Sequence, residues 1–175
     1  MHHKKAASCR HGAKMTAKTA LFPGSFDPFT LGHLDVARRV LNIVDRLVIA
    51  VGDNGAKYPM LSPEERLEAI KAQFSDEPRV EVARLDSLTP IYMKDHGIDL
   101  IVRGLRDGKD FEYEWKLFQM YRTLHPKIDA IYLPAEPTRS FLSSTLAKAA
   151  IAGGADPLLY VPKAIAERLA LAKKD

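Results

Sequence analysis

Short apolar runs alternate along the chain with longer segments whose apolar residues recur every three or four positions. The run "RLVIAVG" at 46–52 is rich in β-branched residues, which is typical of a strand buried in a parallel sheet. The segment at 33–45 instead places Leu34, Ala37 and Val40 on one face of a helix. The pattern therefore predicts strands and helices in turn.

The helix predicted at 62–74 has the clearest start signal. Ser62 stands at the N-cap, Pro63 at the first helical position, and Glu65 completes a capping box. The patterns predict strands at 19–22, 46–52, 80–85, within 99–105 and at 129–135. They predict helices at 33–45, 62–74, 90–97, 110–124, 143–154 and 162–174.

Strands that alternate with helices over the whole length indicate an α/β fold. We expect a doubly wound, Rossmann-like parallel sheet of five strands with flanking helices. Residues 15–175 are expected to form a single domain, since no linker, repeat or low-complexity segment interrupts them. Ligands bind such sheets outside the carboxyl ends of the strands, so the residues that follow the strands are the candidates for chemistry.

Residues 1–14 account for the net charge of +4. They contain four basic residues and no acidic one, and the rest of the chain has 22 of each. That balance removes the general electrostatic reason to expect nucleic acid or a membrane surface as a partner. No apolar run approaches the length of a membrane span.

Residues 1–14 are expected to be a disordered leader, either an expression tag or a start placed too early, with Met15 as the true start. The segment lacks the apolar region of a secretory signal, and a short transit peptide is a weaker alternative. It holds the only cysteine, Cys9. A body without cysteine has no disulfides and no thiolate metal site, which favours a cytoplasmic protein.

The stretch "FPGSFDPFTLGH" at 22–33 joins the first predicted strand to the first predicted helix. Pro23 and Gly24 are expected to end the strand, and the start of the helix offers N–H groups that suit phosphate. His33 adds a side-chain donor there, although capping or packing is the more common role of an isolated Gly-His pair. Asp27 precedes a proline and is expected to form a turn rather than bind metal or act as a base.

Three later loops also place cations or hydroxyl groups after predicted strands. Lys57 in "AKYPML" offers a point charge for phosphate, although most loop lysines are simply solvated. In "RGLRDGKDFEYE" at 103–114, a glycine separates Arg103 from Arg106, which suits anion recognition. The alternative for these arginines is surface ion pairing with Asp107, Asp110 or Glu112.

The string "RSFLSSTLAK" at 139–148 leads into the fifth predicted helix. Ser143 and Ser144 could supply N–H and hydroxyl donors to phosphate at the start of that helix. Plain N-capping is the simpler interpretation of this serine pair.

Taken together, these strings resemble a known enzyme family. "GSFDPFTLGH" is similar to the signature of the nucleotidyltransferase superfamily, with Thr30 and His33 in its two phosphate-contacting positions. "RGLR…DFEYE" closely resembles the hallmark of bacterial pantetheine-phosphate adenylyltransferases, and "RSFLSSTLAK" is similar to the serine-rich phosphate motif of the superfamily. The likeness extends from about residue 19 to about 170.

The resemblance implies transfer of the adenylyl group of ATP to 4′-phosphopantetheine. The products would be dephospho-coenzyme A and pyrophosphate, in the penultimate step of coenzyme A biosynthesis. The family depends on Mg²⁺, which is expected to be carried mainly by the phosphates of ATP, and is usually a homohexamer. Inhibition by coenzyme A is left open.

The resemblance also implies the roles of individual residues. His33, Lys57 and Arg106 are the expected catalytic residues, and no residue is expected to be a metal ligand. Glu114 is expected to orient a basic or ribose group. The phosphopantetheine side is expected to involve Ser25, Lys57, Thr89 and Arg103. ATP is expected to contact Ser25, Phe26, His33, Gly104, Leu105, Arg106, Glu114, Arg139, Ser140, Phe141, Leu142, Ser143, Ser144 and Thr145.

One departure from the family is Tyr121, where asparagine is common, and it leaves the shape of the pantetheine pocket open. A sister nucleotidyltransferase acting on a pyridine mononucleotide, or on a lipid-precursor phosphate with CTP, is the nearest alternative. Those families lack the string at 103–114. A non-catalytic nucleotide sensor is a more distant alternative, because it would not need His33, Lys57, Arg103 and Arg106 together.

Overall fold

Five parallel strands form one sheet in the computed structural model, which describes residues 18–53 and 59–172. The expected leader at 1–14 and the candidate Lys57 lie outside the described residues. The single-domain assignment of 15–175 therefore stays a prediction. The strands are β1 (Thr19–Gly24), β2 (Arg46–Gly52), β3 (Val80–Leu85), β4 (Leu100–Leu105) and β5 (Asp129–Pro134).

The helices alternate with the strands along the chain. They are α1 (Leu31–Val40), α2 (Pro63–Gln73), α3 (Thr89–Asp95), α4 (Gly108–Leu124), α5 (Ser144–Ala152) and α6 (Lys163–Ala172). Two short 3₁₀ helices, Pro137–Arg139 and Pro157–Leu159, flank α5. None of the described helices is long and apolar enough to cross a membrane.

The strand order is β3-β2-β1-β4-β5, so the direction of winding reverses between β1 and β4. This confirms the doubly wound α/β fold. β1 pairs with β2 over its whole length, from Thr19 to Gly24. With β4 it pairs only at Ala20 and Leu21. The carboxyl halves of β1 and β4 therefore part at the reversal, which is where such sheets open a crevice for ligands.

The alternation of side chains along each strand divides the core between the two faces of the sheet. On one face Phe22 and Ile49 pack with buried residues of α1, α2, α5 and α6. On the other face Leu21 and Val48 pack with α3 and α4, including Phe118. The central strands are buried on both faces, which explains why their sequences are nearly continuous apolar runs.

The predicted boundaries differ from the structure mainly around the first crossover. The first strand does end at the Pro23-Gly24 pair, as expected, but it includes both residues beside β2 and so extends two residues beyond the predicted 19–22. Proline is tolerated there because pairing with β4 has already ended at Leu21. The first helix was expected at 33–45 but occupies Leu31–Val40, and the apolar Val44 is buried in the turn that follows.

Candidate active site

A cavity of about 400 Å³ lies where the carboxyl ends of β1 and β4 separate. Residues from the first turns of α1, α4 and α5 line it, so the N-terminal ends of three helices lie at one place. Helix N-termini offer N–H groups and a partial positive charge, which suits an anionic ligand. Among the predicted site residues, the cavity is lined by Ser25, Phe26, His33, Arg103, Gly104, Arg106, Glu114, Arg139, Leu142, Ser143, Ser144 and Thr145.

The loop between β1 and α1 is fixed by a buried carboxylate. Asp27 is only 6% exposed. Its Oδ1 accepts hydrogen bonds from the backbone N–H groups of Met60 and Leu61, and its Oδ2 lies 2.8 Å from Nζ of Lys148. Asp27 does lie in the predicted turn, but its side chain also ties this loop to the segment before α2 and to α5.

Phe26, the residue before this turn, has a left-handed backbone conformation with φ of 50°. This conformation is rare for a bulky residue and tends to persist where the surroundings impose it. The Phe26 ring is buried, and a Cβ added at Gly24 would lie 2.8 Å from it. Glycine at position 24 therefore allows the ring to fold back over the end of β1.

His33 lies at the third position of α1 and takes part in capping that helix. The backbone N–H of Thr30 donates to Nδ1 of His33 at 2.9 Å, and the backbone N–H of His33 donates to the Thr30 hydroxyl. This is the capping-box arrangement, with histidine in the place usually held by Glu or Gln. Because Nδ1 accepts a hydrogen bond, the proton of the neutral ring is on Nε2.

The surroundings of His33 keep its ring uncharged. Phe22, Phe26 and Phe29 lie around it, with ring centroids 5.1 to 6.1 Å from the imidazole. Burial lowers the pKa of His33 to about 3, with smaller contributions from the positive charges of Arg103 and Arg106. The ring therefore offers a neutral Nε2–H donor to the cavity that it lines.

Arg103 spans the gap between β1 and β4. Its Nη1 donates to the carbonyl oxygen of Pro23 at 2.7 Å, and its Nη2 pairs with Oε1 of Glu114. Glu114 is a buried acid on α4, 8% exposed. The expectation that Glu114 orients a basic group agrees with this ion pair, which holds the guanidinium at the wall of the cavity.

Arg106 follows β4 and pairs with Asp110 in the first turn of α4. Nε and Nη2 of Arg106 lie 2.8 and 2.9 Å from the two carboxylate oxygens of Asp110. The hydrogen bonds to Arg106, and then its charge, hold the pKa of Asp110 below its ordinary value. Of the surface ion pairs considered as the alternative for these arginines, the pair between Arg106 and Asp110 is present, within the cavity wall.

The start of α5 uses its serines partly for local structure. The Ser143 hydroxyl accepts from the backbone N–H of Leu146, which is ordinary N-capping. The Ser144 hydroxyl donates to the Pro28 carbonyl oxygen at 2.9 Å. Arg139 donates to the Leu31 carbonyl oxygen at 3.3 Å. This segment thus also holds the β1–α1 loop in place.

Comparison with known proteins identifies the family. A family profile described as cytidylyltransferase-like matches residues 21–150. The phosphopantetheine adenylyltransferase of Afipia carboxidovorans is 40% identical over 158 residues, which cover 87% of this chain and 96% of that protein. The enzyme of the same name from Leuconostoc mesenteroides is 42% identical over 151 residues, covering 86% and 93%. The chain belongs to the phosphopantetheine adenylyltransferase family.

Structural comparison agrees with the fold. A crystal structure of a Vibrio parahaemolyticus protein, described as a nicotinate-nucleotide adenylyltransferase, matches with a TM-score of 0.66. The match covers 89% of this chain and 93% of that one, at 20% sequence identity. At this identity the likeness shows the shared fold alone.

Some residues assigned from the phosphopantetheine adenylyltransferase resemblance do not line the cavity. Leu105, Ser140 and Phe141 are neighbours of lining residues. Thr89 begins α3 after β3, and β2 separates that strand from β1. Lys57 lies outside the described residues. Their proposed contacts with ligands stay predictions.

Asp110 is the charged lining residue that the sequence-based site missed. The sequence suggested it only as a surface partner for an arginine. Its spacing of four residues from Arg106, at the start of a helix, was the available signal. Phe22 and Val36 also line the cavity, as apolar wall residues that no motif distinguishes from the core.

Proposed function

We propose that the cavity transfers the adenylyl group of ATP to 4′-phosphopantetheine, giving dephospho-coenzyme A and pyrophosphate. The observation that carries this proposal is the convergence of His33, Arg103 and Arg106 on one cavity. The high identity to proteins named phosphopantetheine adenylyltransferase supports the choice of substrates.

The reaction joins two anions. A phosphate oxygen of phosphopantetheine forms a bond to the α-phosphorus of ATP, the bond from that phosphorus to the bridging oxygen breaks, and pyrophosphate leaves. The attacking oxygen is already ionised, so no general base is required. The protein must instead position the two reactants and stabilise charge on the α-phosphoryl oxygens.

His33 is suited to the charge that develops during transfer. Its Nε2–H is a neutral donor at the start of α1, with Nδ1 held by the backbone of Thr30. In this role it would donate to an oxygen of the α-phosphate as negative charge grows. A neutral imidazole keeps its proton throughout the step, so it acts as an electrostatic donor rather than an acid.

In this proposal Arg103 and Arg106 bind different phosphate groups. Arg103 would hold the incoming phosphate, together with Lys57, and Arg106 would hold the pyrophosphate side of ATP. Each guanidinium has N–H donors beyond those used for its carboxylate partner. The segment 139–145 would complete the ATP site.

Mg²⁺ is proposed to arrive with ATP. The described residues contain no group of three or more His, Cys, Asp or Glu side chains that could hold a metal ion. The cavity carboxylates of Asp110 and Glu114 are paired with arginines instead. In this proposal the described residues do not form a protein cage for the ion, and phosphate oxygens and water would supply its ligands.

We also propose that the protein is a homohexamer and works in the cytoplasm. Exposed apolar side chains on α4, including Trp115 and Met120, support self-association. Adding coenzyme A to the pyrophosphate-release assay tests whether it inhibits the enzyme. Inhibition is worth testing because coenzyme A shares most of its structure with the product, dephospho-coenzyme A.

The proposal is tested by measuring pyrophosphate release from ATP with 4′-phosphopantetheine as acceptor. Nicotinamide mononucleotide as acceptor, and CTP in place of ATP, are the matched comparisons. Release that requires both ATP and phosphopantetheine is the expected result. Faster release with either comparison substrate would favour a sister nucleotidyltransferase, and no release with any pair would favour a nucleotide sensor.

A further inference from the structure

A cavity proposed to bind two anions is lined by two acidic side chains. Among the described lining residues, Arg103, Arg106 and Arg139 supply three positive charges, and Asp110 and Glu114 remove two of them. His33 adds none because it is neutral. The proposed ligands carry several negative charges, so an acid in this wall needs a reason to be there. Glu114 is accounted for by the assigned ATP site, and Asp110 is not.

Asp110 is held rigidly at the start of α4. Its backbone N–H donates to Oδ1 of Asp107, the N-cap residue, at 2.9 Å. Its carboxylate accepts both from the backbone N–H of Arg106 at 3.0 Å and from the Arg106 side chain. One carboxylate thus fixes the backbone and the guanidinium of the same arginine.

The carboxylate occupies one edge of the guanidinium and leaves another available. Arginine has five N–H donors in a planar fork. Asp110 takes the edge formed by Nε and Nη2. The edge formed by Nη1 and Nη2 is left for a second bidentate partner, and phosphate oxygens match that spacing.

We propose that Asp110 is a positioning residue for Arg106. It holds the guanidinium so that the edge formed by Nη1 and Nη2, called the outer edge here, faces the phosphates of ATP. This inference deepens the proposed function and rests on it. A flexible arginine would have to be ordered each time ATP binds, and Asp110 orders it beforehand. The disadvantage of ordering Arg106 in this way is that the carboxylate of Asp110 offsets one positive charge in the cavity wall.

The opposite role would be competition, in which Asp110 occupies Arg106 until ATP displaces it. The geometry favours positioning for two reasons. The Asp110 carboxylate also accepts from the Arg106 backbone, and it does not occupy the outer edge of the guanidinium, formed by Nη1 and Nη2. The two roles predict opposite effects of removing the charge. Positioning predicts weaker ATP binding, and competition predicts tighter binding.

The test compares Asp110→Asn with Asp35→Asn in the full-length protein. Asp35 and Arg39 form another ion pair at the same four-residue spacing, with nearly the same exposure, outside the cavity. ATP affinity is measured by calorimetry without acceptor, and the melting temperature of each variant is recorded. We expect Asp110→Asn to weaken ATP binding about tenfold or more, the scale of charge-assisted hydrogen bonds. Asp35→Asn should leave it unchanged.

A double variant separates positioning from a general structural effect. In an Arg106→Ala background, Asp110→Asn should cause no further loss of ATP affinity, because the arginine to be positioned is absent. Unchanged or tighter ATP binding in the single variant would overturn the proposal. A loss that persists in the Arg106→Ala background would overturn it as well.

These outcomes can be told apart from failure of the proposed function. ATP binding is measured without phosphopantetheine, so it does not depend on the acceptor. Wild-type protein that binds ATP but releases no pyrophosphate would contradict the function and leave the role of Asp110 readable.

Discussion

At the scale of single residues, His33 has an observed structural role and a proposed chemical one. Its Nδ1 caps α1 through Thr30, and its Nε2–H is the donor proposed for transfer. Sequence motifs pointed to His33, but they could not assign its protonated nitrogen. That assignment needed the hydrogen bond to Nδ1 and the three phenyl rings around the imidazole.

Replacing His33 by Gln or Asn tests which nitrogen matters. Gln at the third helical position can accept from Thr30 with Oε1 and still present an Nε2–H donor. Asn can cap the helix but does not reach as far. We expect Asn to lower kcat about a hundredfold or more, and Gln to retain at least about tenfold more activity than Asn.

Steady-state kinetics of pyrophosphate release, with ATP and acceptor varied in turn, check this prediction. A loss confined to KM would contradict a donor that acts in the transition state. Equal losses in both variants would contradict the assignment to Nε2. The melting temperatures of the two variants serve as the control for folding.

At the scale of helices and strands, local signals predicted the elements well where capping chemistry was explicit. Ser62, Pro63 and Glu65 predicted the start of α2, and the capping box is present. The start of α1 was misplaced because its capping box uses His33 in place of Glu or Gln. Apolar periodicity also continued through Val44, beyond the end of the helix, since turn residues can be buried too.

The Ser62 cap gives a prediction for stability. Ser62→Ala removes the acceptor for the backbone N–H of Glu65 and should lower the free energy of unfolding by about 1 kcal/mol. Ser75→Ala, at an exposed position just beyond the same helix, is the matched control. Urea unfolding at neutral pH measures both, and equal stability of the two variants would contradict the capping role.

At the scale of the whole molecule, the order of strands was not predictable in detail from the sequence. The alternation of elements predicted a doubly wound sheet, and the motifs indicated which loops meet at its carboxyl edge. The short ladder between β1 and β4 could not be read from the sequence, because it depends on how far neighbouring strands diverge. That divergence creates the cavity and lets Arg103 reach Pro23.

The proposed assembly is the prediction that belongs to this scale. Light scattering coupled to size-exclusion chromatography should give a mass about six times the 19.5 kDa of one chain. The physical reason is the apolar surface of α4, where Phe111, Trp115, Met120 and Leu124 remain exposed in one chain. A monomeric mass at micromolar concentration would contradict it.

The uncharged state of His33 has a consequence for how the protein responds to acidification. An imidazole with its ordinary pKa would change charge within the range of cellular pH, and this one does not. A phosphate monoester takes up a proton near pH 6. On the mildly acidic side His33 would therefore keep its uncharged state while a terminal phosphate of the substrates gains a proton, so that the substrates and not this histidine would respond to the change in pH.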